Sequence, residues 1–255
     1  MSEHVRAEIK DGTLAIILDR QERRNAITVA MYTALAEAFE VAVSDANVRL
    51  VTIRGEGPDF AAGNDLEDFL KVRPDALSDM PVMRMLRAIA TCRKPLVAAV
   101  HGNCVGIGTT MLLHCDLVIA ADDSRFSMPF VDLALVPEAA SSLLFPRLAG
   151  RRRSARYLLL CEPFGAEEAL EIGLISHAVP AAQLVGSFQE IVRALLAKPA
   201  EALRITQKLL RQGNRDEILE RMQLEGAQFA DRLASDEVKQ AIEAFFAKRA
   251  VKPAD

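Results

Sequence analysis

The chain has 255 residues and a formal net charge of −4, with 51% hydrophobic and 26% charged residues. That balance is ordinary for a folded protein large enough to need no disulfide or metal staple, and it supplies no overall basic field for nucleic acid. Only 5% of residues are aromatic and Trp is absent, which argues against base-stacking surfaces as well.

The N-terminal stretch MSEHVRAEIK is polar and lacks a signal-peptide apolar core. No apolar run reaches the roughly 18 residues that a membrane span needs. The four cysteines, Cys92, Cys104, Cys115 and Cys161, form no CxxC pair. His101 and His114 lie near two of them, but the spacing fits no common zinc pattern. Buried free thiols in a reducing compartment are expected, with no metal, no membrane partner and a cytoplasmic location.

In chain order, Val5–Ile9 and Thr13–Asp19 read as short strands around an Asp11-Gly12 turn. Thr28–Ser44 predicts an amphipathic helix with Thr28 as its N-cap. Val48–Arg54 alternates and is β-branched, so it is a strand, and a glycine-rich loop runs from Gly55 to Gly63. A helical stretch leads to Lys94. Pro95–Val100 reads as a strand buried on both faces, Gly102–Gly108 as a turn, Thr109–His114 as the start of a helix, and Leu117–Ala121 as another buried strand. From Glu138 onward the pattern is almost all helix, broken around Ser176–Pro180. This rhythm predicts one α/β core over residues 1–195 and a helical C-terminal extension over 196–255, packed on its own subunit or on a neighbour.

Three stretches could carry chemistry. In Phe60-Ala61-Ala62-Gly63-Asn64-Asp65-Leu66, small residues let a ligand approach the backbone. A helix starting at Asn64 would point free N–H groups at a negative oxygen; an ordinary cap by Asn64 or Asp65 is the plainer reading. His101–Gly108 offers a second set of N–H donors between a strand and a helix. Its G-x-x-x-G-x-G spacing, with Asp122 and Asp123 after the next strand, also mimics a dinucleotide fingerprint. Against a dehydrogenase, the motif lies mid-chain, and neither Tyr32 nor Tyr157 has Lys four residues on. In Pro129–Ala140, Glu138 follows Pro137 and opens an apolar helix. It reads either as a first-turn glutamate favouring the helix dipole or as a partly desolvated base of raised pKa.

Taken together these stretches resemble the crotonase (enoyl-CoA hydratase/isomerase) family. The likeness rests on Leu18–Ile27 (LDRQERRNAI), Phe60–Leu66, Pro95–Thr110, Cys115–Gly150 and the AFFAKR of Ala244–Arg249, in the right order along nearly the whole chain. The resemblance implies an α/β fold, a crotonase-like spiral of ββα units with a C-terminal helical trimerisation region, assembling as a homotrimer or hexamer. It also implies an acyl-CoA thioester partner, a place in fatty acid metabolism, and no separate cofactor, since coenzyme A is part of the substrate. By the same likeness the backbone N–H groups of Asn64 and Ile107 form an oxyanion hole. Ala62 and Asp65 line the path of the coenzyme, and Ala26, Gly63, Leu66, Gly106 and Phe130 complete the substrate-binding set. Arg24 either meets the coenzyme's phosphates or stands as a solvated surface arginine.

Hydratases of the family use two glutamates, whose places here are taken by Thr110 and Phe130. Glu138 instead matches the single base of the Δ3,Δ2-enoyl-CoA isomerases, many of which have glycine where this chain has Ala139-Ala140. The implied activity is an enoyl-CoA isomerase with Glu138 as proton shuttle. Weak hydration, thioester hydrolysis and a non-catalytic acyl-CoA-binding role are the alternatives; Asp132, a second acid nearby, is either a surface residue or the source of a minor hydrolytic or hydratase activity.

Overall fold

A computed structural model of the chain describes residues 2–69, 71, 80–211 and 215–251. Strands β1 (Val5–Lys10) and β2 (Thr13–Leu18) pair antiparallel. At the turn between them Asp11 and Gly12 have φ of 48° and 79°, the double left-handed geometry that Asp-Gly accepts most readily. Leu14, Ile16 and Leu18 are buried while their neighbours are not, the period of two expected for a half-covered strand. Helix α1 (Val29–Ser44) follows, and the Thr28 hydroxyl accepts the Met31 N–H at 3.2 Å, as the sequence predicts.

The sheet grows in parallel through β3 (Leu50–Gly55) and β4 (Leu96–Val100). Between them lie a short helix α2 (Leu66–Phe69) and α3 (Pro81–Ala90), which packs against α1. Part of the helical stretch expected before Lys94 falls outside the described residues. After β4 the chain leaves the sheet. Residues 102–108 are more than a turn: they contain β5 (Asn103–Val105) and then open α4 (Ile107–Thr110). The large sheet resumes with β6 (Leu117–Ala121), and β7 (Arg125–Ser127) pairs in parallel with β5.

Helices α5 (Ser141–Ala149) and α6 (Arg151–Leu159) come next, then β8 (Phe164–Gly165), α7 (Ala166–Glu171) and β9 (His177–Val179). The large sheet runs β1-β2-β3-β4-β6-β9 and the small one β5-β7-β8. From β4 onward each turn of chain visits both sheets, β4 with β5, β6 with β7 and β9 with β8, which winds the expected spiral. The small-sheet strands escape a sequence reading because two or three residues show no periodicity.

Helix α8 (Leu184–Leu196) covers the outer face of the sheet over Ala99, Ile119 and Ala121. Three more helices end the described chain: α9 (Ala200–Arg211), α10 (Arg215–Leu233) and α11 (Asp236–Val251). Met222, Phe229, Val238 and Ile242 of the last two are buried in the main core, so the extension folds back on its own subunit. Arg211 fastens α9 by donating to the Asp116 carboxylate at 2.9 Å and to the His114 carbonyl at 2.6 Å. Among the described residues no helix is long and apolar enough to cross a membrane.

Candidate active site

Two glycine loops build the site by touching each other. Residue Ala61 bridges to Cys104 of β5, and three residues later Asn64 bridges to Ile27. In the second bridge Gly63 C=O accepts from Ile27 N–H at 2.8 Å, and Asp65 N–H donates to Ile27 C=O at 3.0 Å. A parallel bridge uses the flanking groups in this way, so the N–H of Asn64 itself points away from Ile27.

Glycine is required at the contact. Gly63 has φ +89°, and a Cβ there would lie 3.1 Å from the Val105 carbonyl oxygen. Gly106 needs its glycine for φ +54°, and an added Cβ would rest in ordinary contact with the Gly63 Cα at 3.9 Å. The Gly106 carbonyl accepts the N–H groups of Thr109 and Thr110, starting α4 at Ile107. The Ile107 N–H thus belongs to a first helical turn and has no intrahelical acceptor, while its side chain is fully buried.

Beside these loops runs a cleft of about 490 Å³. All the substrate-binding positions expected from the sequence line it: Arg24, Ala26, Ala62, Gly63, Asp65, Leu66, Gly106 and Phe130. Asn64, Asp65 and Phe229 are shared with an inner, apolar pocket of about 50 Å³ that holds Glu138 and Tyr32. The inner walls are Met80, Met83 and Leu86 from the α3 side and Met222, Gly226 and Phe229 from α10. A Cβ on Gly226 would meet the Met83 Cε at 3.2 Å.

Individual side chains refine the sequence expectations. The helix after the first loop starts at Leu66, not at Asn64. Asp65 caps it by accepting the Glu67 N–H at 3.0 Å, so the cap reading holds. The same carboxylate accepts from Arg20 Nη1 at 2.7 Å. Burial alone would raise the Asp65 pKa, but Arg20 and the two capping N–H groups outweigh it and hold the carboxyl below its ordinary value. Arg24 is largely exposed at the mouth of the cleft, 3.7 Å from Asp59. Asp132 lies exposed on a 3-10 turn and lines neither pocket.

Glu138 does not open a helix, contrary to the sequence reading. Helix α5 begins at Ser141, and Ala139 and Ala140 lie between with φ of +60° and +56°. The helix-dipole reading of Glu138 fails with it. Its carboxyl is buried and accepts from the Thr110 hydroxyl at 2.5 Å. Burial pushes its pKa up to about 8; the Thr110 hydrogen bond opposes that shift and the Glu225 carboxyl adds to it.

Tyr32 donates its hydroxyl to the Asn64 side-chain oxygen. Burial first, then the Glu138 charge, raise its pKa well above the usual phenol value, so it stays neutral. Sequence reading missed Tyr32, Glu225 and Phe229. The available signal was an acid, Glu225, between Met222 and Phe229 on the apolar face of a helix. The Asp122 carboxylate, a mimic of a ribose ligand in the sequence, accepts the Ala181 N–H at 3.2 Å. The four cysteines are free thiols, and among the described residues no cluster of three or more His, Cys, Asp or Glu is arranged to hold a metal.

A two-sheet spiral whose glycine loops frame a cleft, with the buried Glu138 carboxyl in an apolar recess behind it, defines a crotonase-type α/β enzyme. The chain belongs to the enoyl-CoA hydratase/isomerase family, whose model matches residues 8–253. It is 32% identical to the 1,2-epoxyphenylacetyl-CoA isomerase of Escherichia coli K12, over 98% of this chain and 97% of that one. It is also 32% identical to an enoyl-CoA hydratase of Alternaria alternata, over 94% and 82%. The solved structure of Pseudomonas aeruginosa OdaA superposes with a TM-score of 0.91 at 41% identity, over 96% and 99% of the two chains.

Proposed function

We propose that this protein is an enoyl-CoA isomerase that moves a double bond from the 3 to the 2 position of an acyl-CoA thioester. The observation that carries this reading is Glu138. It is a buried carboxyl in an apolar recess, and the two positions where related hydratases place glutamates hold Thr110 and Phe130. The Thr110 hydroxyl is bonded to Glu138 itself, and the other carboxyls that line the recess are engaged elsewhere, Asp65 by Arg20 and Asp68 by the Val29 N–H, which leaves Glu138 as the base where hydration calls for an acid–base pair.

The thioester carbonyl oxygen lies between the Asn64 and Ile107 N–H groups. Glu138 takes a proton from C2 of the 3-enoyl group, and the electron pair delocalises through the C3–C4 double bond and the carbonyl to give a dienolate. The negative charge collects on the oxygen facing the two N–H donors, where each such donor is worth roughly 3–4 kcal/mol of barrier. Protonated Glu138 then delivers the same proton to C4, leaving the double bond at C2–C3. The methionines, Leu86 and Phe229 exclude water from the dienolate. The coenzyme lies in the outer cleft, with Arg24 at its mouth.

The test is incubation with a 3-enoyl-CoA, following the conjugated 2-enoyl product by ultraviolet absorbance, with hydration of a 2-enoyl-CoA as control. Isomerisation much faster than hydration is expected. Efficient hydration with no isomerisation sinks the reading. Only the carboxylate form of Glu138 accepts a proton. At low thioester concentration the rate is therefore expected to rise about tenfold per pH unit up to about 8 and then level off. A flat profile across that range contradicts the assignment of the base.

A further inference from the structure

The turn that carries Glu138 opposes its own local preference. Glu-Ala-Ala-Ser-Ser-Leu-Leu reads as helix, and alanine is the strongest helix former. Yet Ala139 and Ala140 both stand in the left-handed region, which side chains with a Cβ disfavour, and α5 starts only at Ser141. Left alone, these residues would extend α5 backward and swing Glu138 onto the helix.

Two groups hold the turn open. From α10, the Glu225 carboxylate accepts the Ala140 N–H on one oxygen at 2.6 Å and the Ser142 N–H on the other at 2.9 Å. From the turn after α4, His114 Nε2 meets the Ala139 carbonyl at 2.8 Å. Burial pushes the His114 pKa down to about 4, so the ring is neutral and its Nε2–H donates. Glu225 lines neither pocket and touches no substrate position. Its neighbour Arg221 donates to the Ser142 hydroxyl at 3.1 Å, fixing the same helix start.

We propose that Glu225 is a positioning residue for Glu138: by clamping the Ala140 and Ser142 N–H groups, it fixes the start of α5 at Ser141, keeps residues 138–140 out of the helix they would otherwise join and aims the carboxyl at the substrate. The C-terminal helical extension is thereby part of the catalytic apparatus. This assignment rests on the isomerase reading for its kinetic consequence but not for its geometry.

The experiment compares E225A and E225Q in the full chain, with E225A/A140G as the rescue. In E225A, kcat is expected to fall roughly 100-fold while KM stays within about threefold, as for a base displaced by about 1 Å. E225Q, which keeps one acceptor oxygen, falls less. Amide hydrogen exchange at Ala140 and Ser142 quickens in both variants. Glycine at 140 accepts the left-handed conformation without a clamp, so E225A/A140G recovers part of the lost kcat, which repair of general stability would not explain. Wild-type kcat in E225A, unchanged exchange at the two amides, or no recovery with A140G overturns the proposal. If the wild type isomerises no 3-enoyl thioester, the functional reading fails separately, and amide exchange in the variants still decides whether the clamp exists.

Discussion

Glu138→Gln is expected to lower kcat by roughly 100- to 10,000-fold, the range over which a positioned general base contributes, while coenzyme A thioester binding is retained. The amide matches the carboxyl in size and can still accept from Thr110, so the inner pocket keeps its shape. It cannot take the C2 proton. A fall in kcat with an unchanged dissociation constant identifies Glu138 as the proton shuttle. Turnover close to wild type would remove it from the chemistry and with it the isomerase assignment.

The same substitution has an opposite effect on stability. The folded-state pKa of Glu138 is about 8 against an ordinary 4.5. A carboxyl raised on folding contributes stability that is fully present below its unfolded value and is lost as pH rises through the folded one. The wild type therefore loses stability between about pH 4.5 and 8 for a reason the glutamine variant lacks. The variant's melting temperature should gain on the wild type across that window, and parallel melting curves would contradict the buried charge. Function and stability are opposed at this one residue, as expected where a site holds an ionisable group away from water.

Gly63→Ala is expected to reduce kcat by roughly 100- to 1,000-fold, the loss that follows removal of one oxyanion donor. The new methyl would press on the Val105 carbonyl at 3.1 Å and demand φ of +89°. The loop must then back away from β5 and turn the adjacent Asn64 N–H from the oxyanion position that the proposed mechanism assigns to it and to Ile107. Gly173→Ala is the control, because Gly173 also has positive φ, +80°, but nothing stands within 4 Å of its added Cβ. Equal loss of activity in both variants would mean general backbone strain. Loss confined to Gly63→Ala, with thioester affinity largely kept, identifies the loop contact as the support of the oxyanion site.

Local signals were readable in the sequence. Asp11-Gly12 gave the hairpin, Thr28 the start of α1, and the unbroken apolar run Leu117–Ala121 the buried strand, because each depends on neighbours along the chain. The cleft-lining set was readable through family likeness, since Gly63 and Gly106 keep the spacing that lets two loops meet. The start of α5 was not readable. Its sequence favours helix from Glu138, and the groups that prevent this come from His114 and from Glu225, the latter 85 positions beyond Ala140. Tyr32 was equally hidden, because α1 alone gives no sign that its hydroxyl reaches Asn64 across a different segment.

The inner pocket bears on which acyl groups the protein accepts. Its volume of about 50 Å³ is small for a fatty chain. Three of its wall residues are methionines, however, and the backbone opposite Met83 is the bare Cα of Gly226. Unbranched thioether side chains change rotamer at little energetic expense and fill irregular spaces. Under the proposed function the recess is expected to act less like a mould of fixed calibre than like a sleeve that dilates around its guest. On that reading substrate breadth lies in the pliancy of three side chains, and oxidation of those sulfurs would line the sleeve with polar sulfoxides and narrow what it accepts.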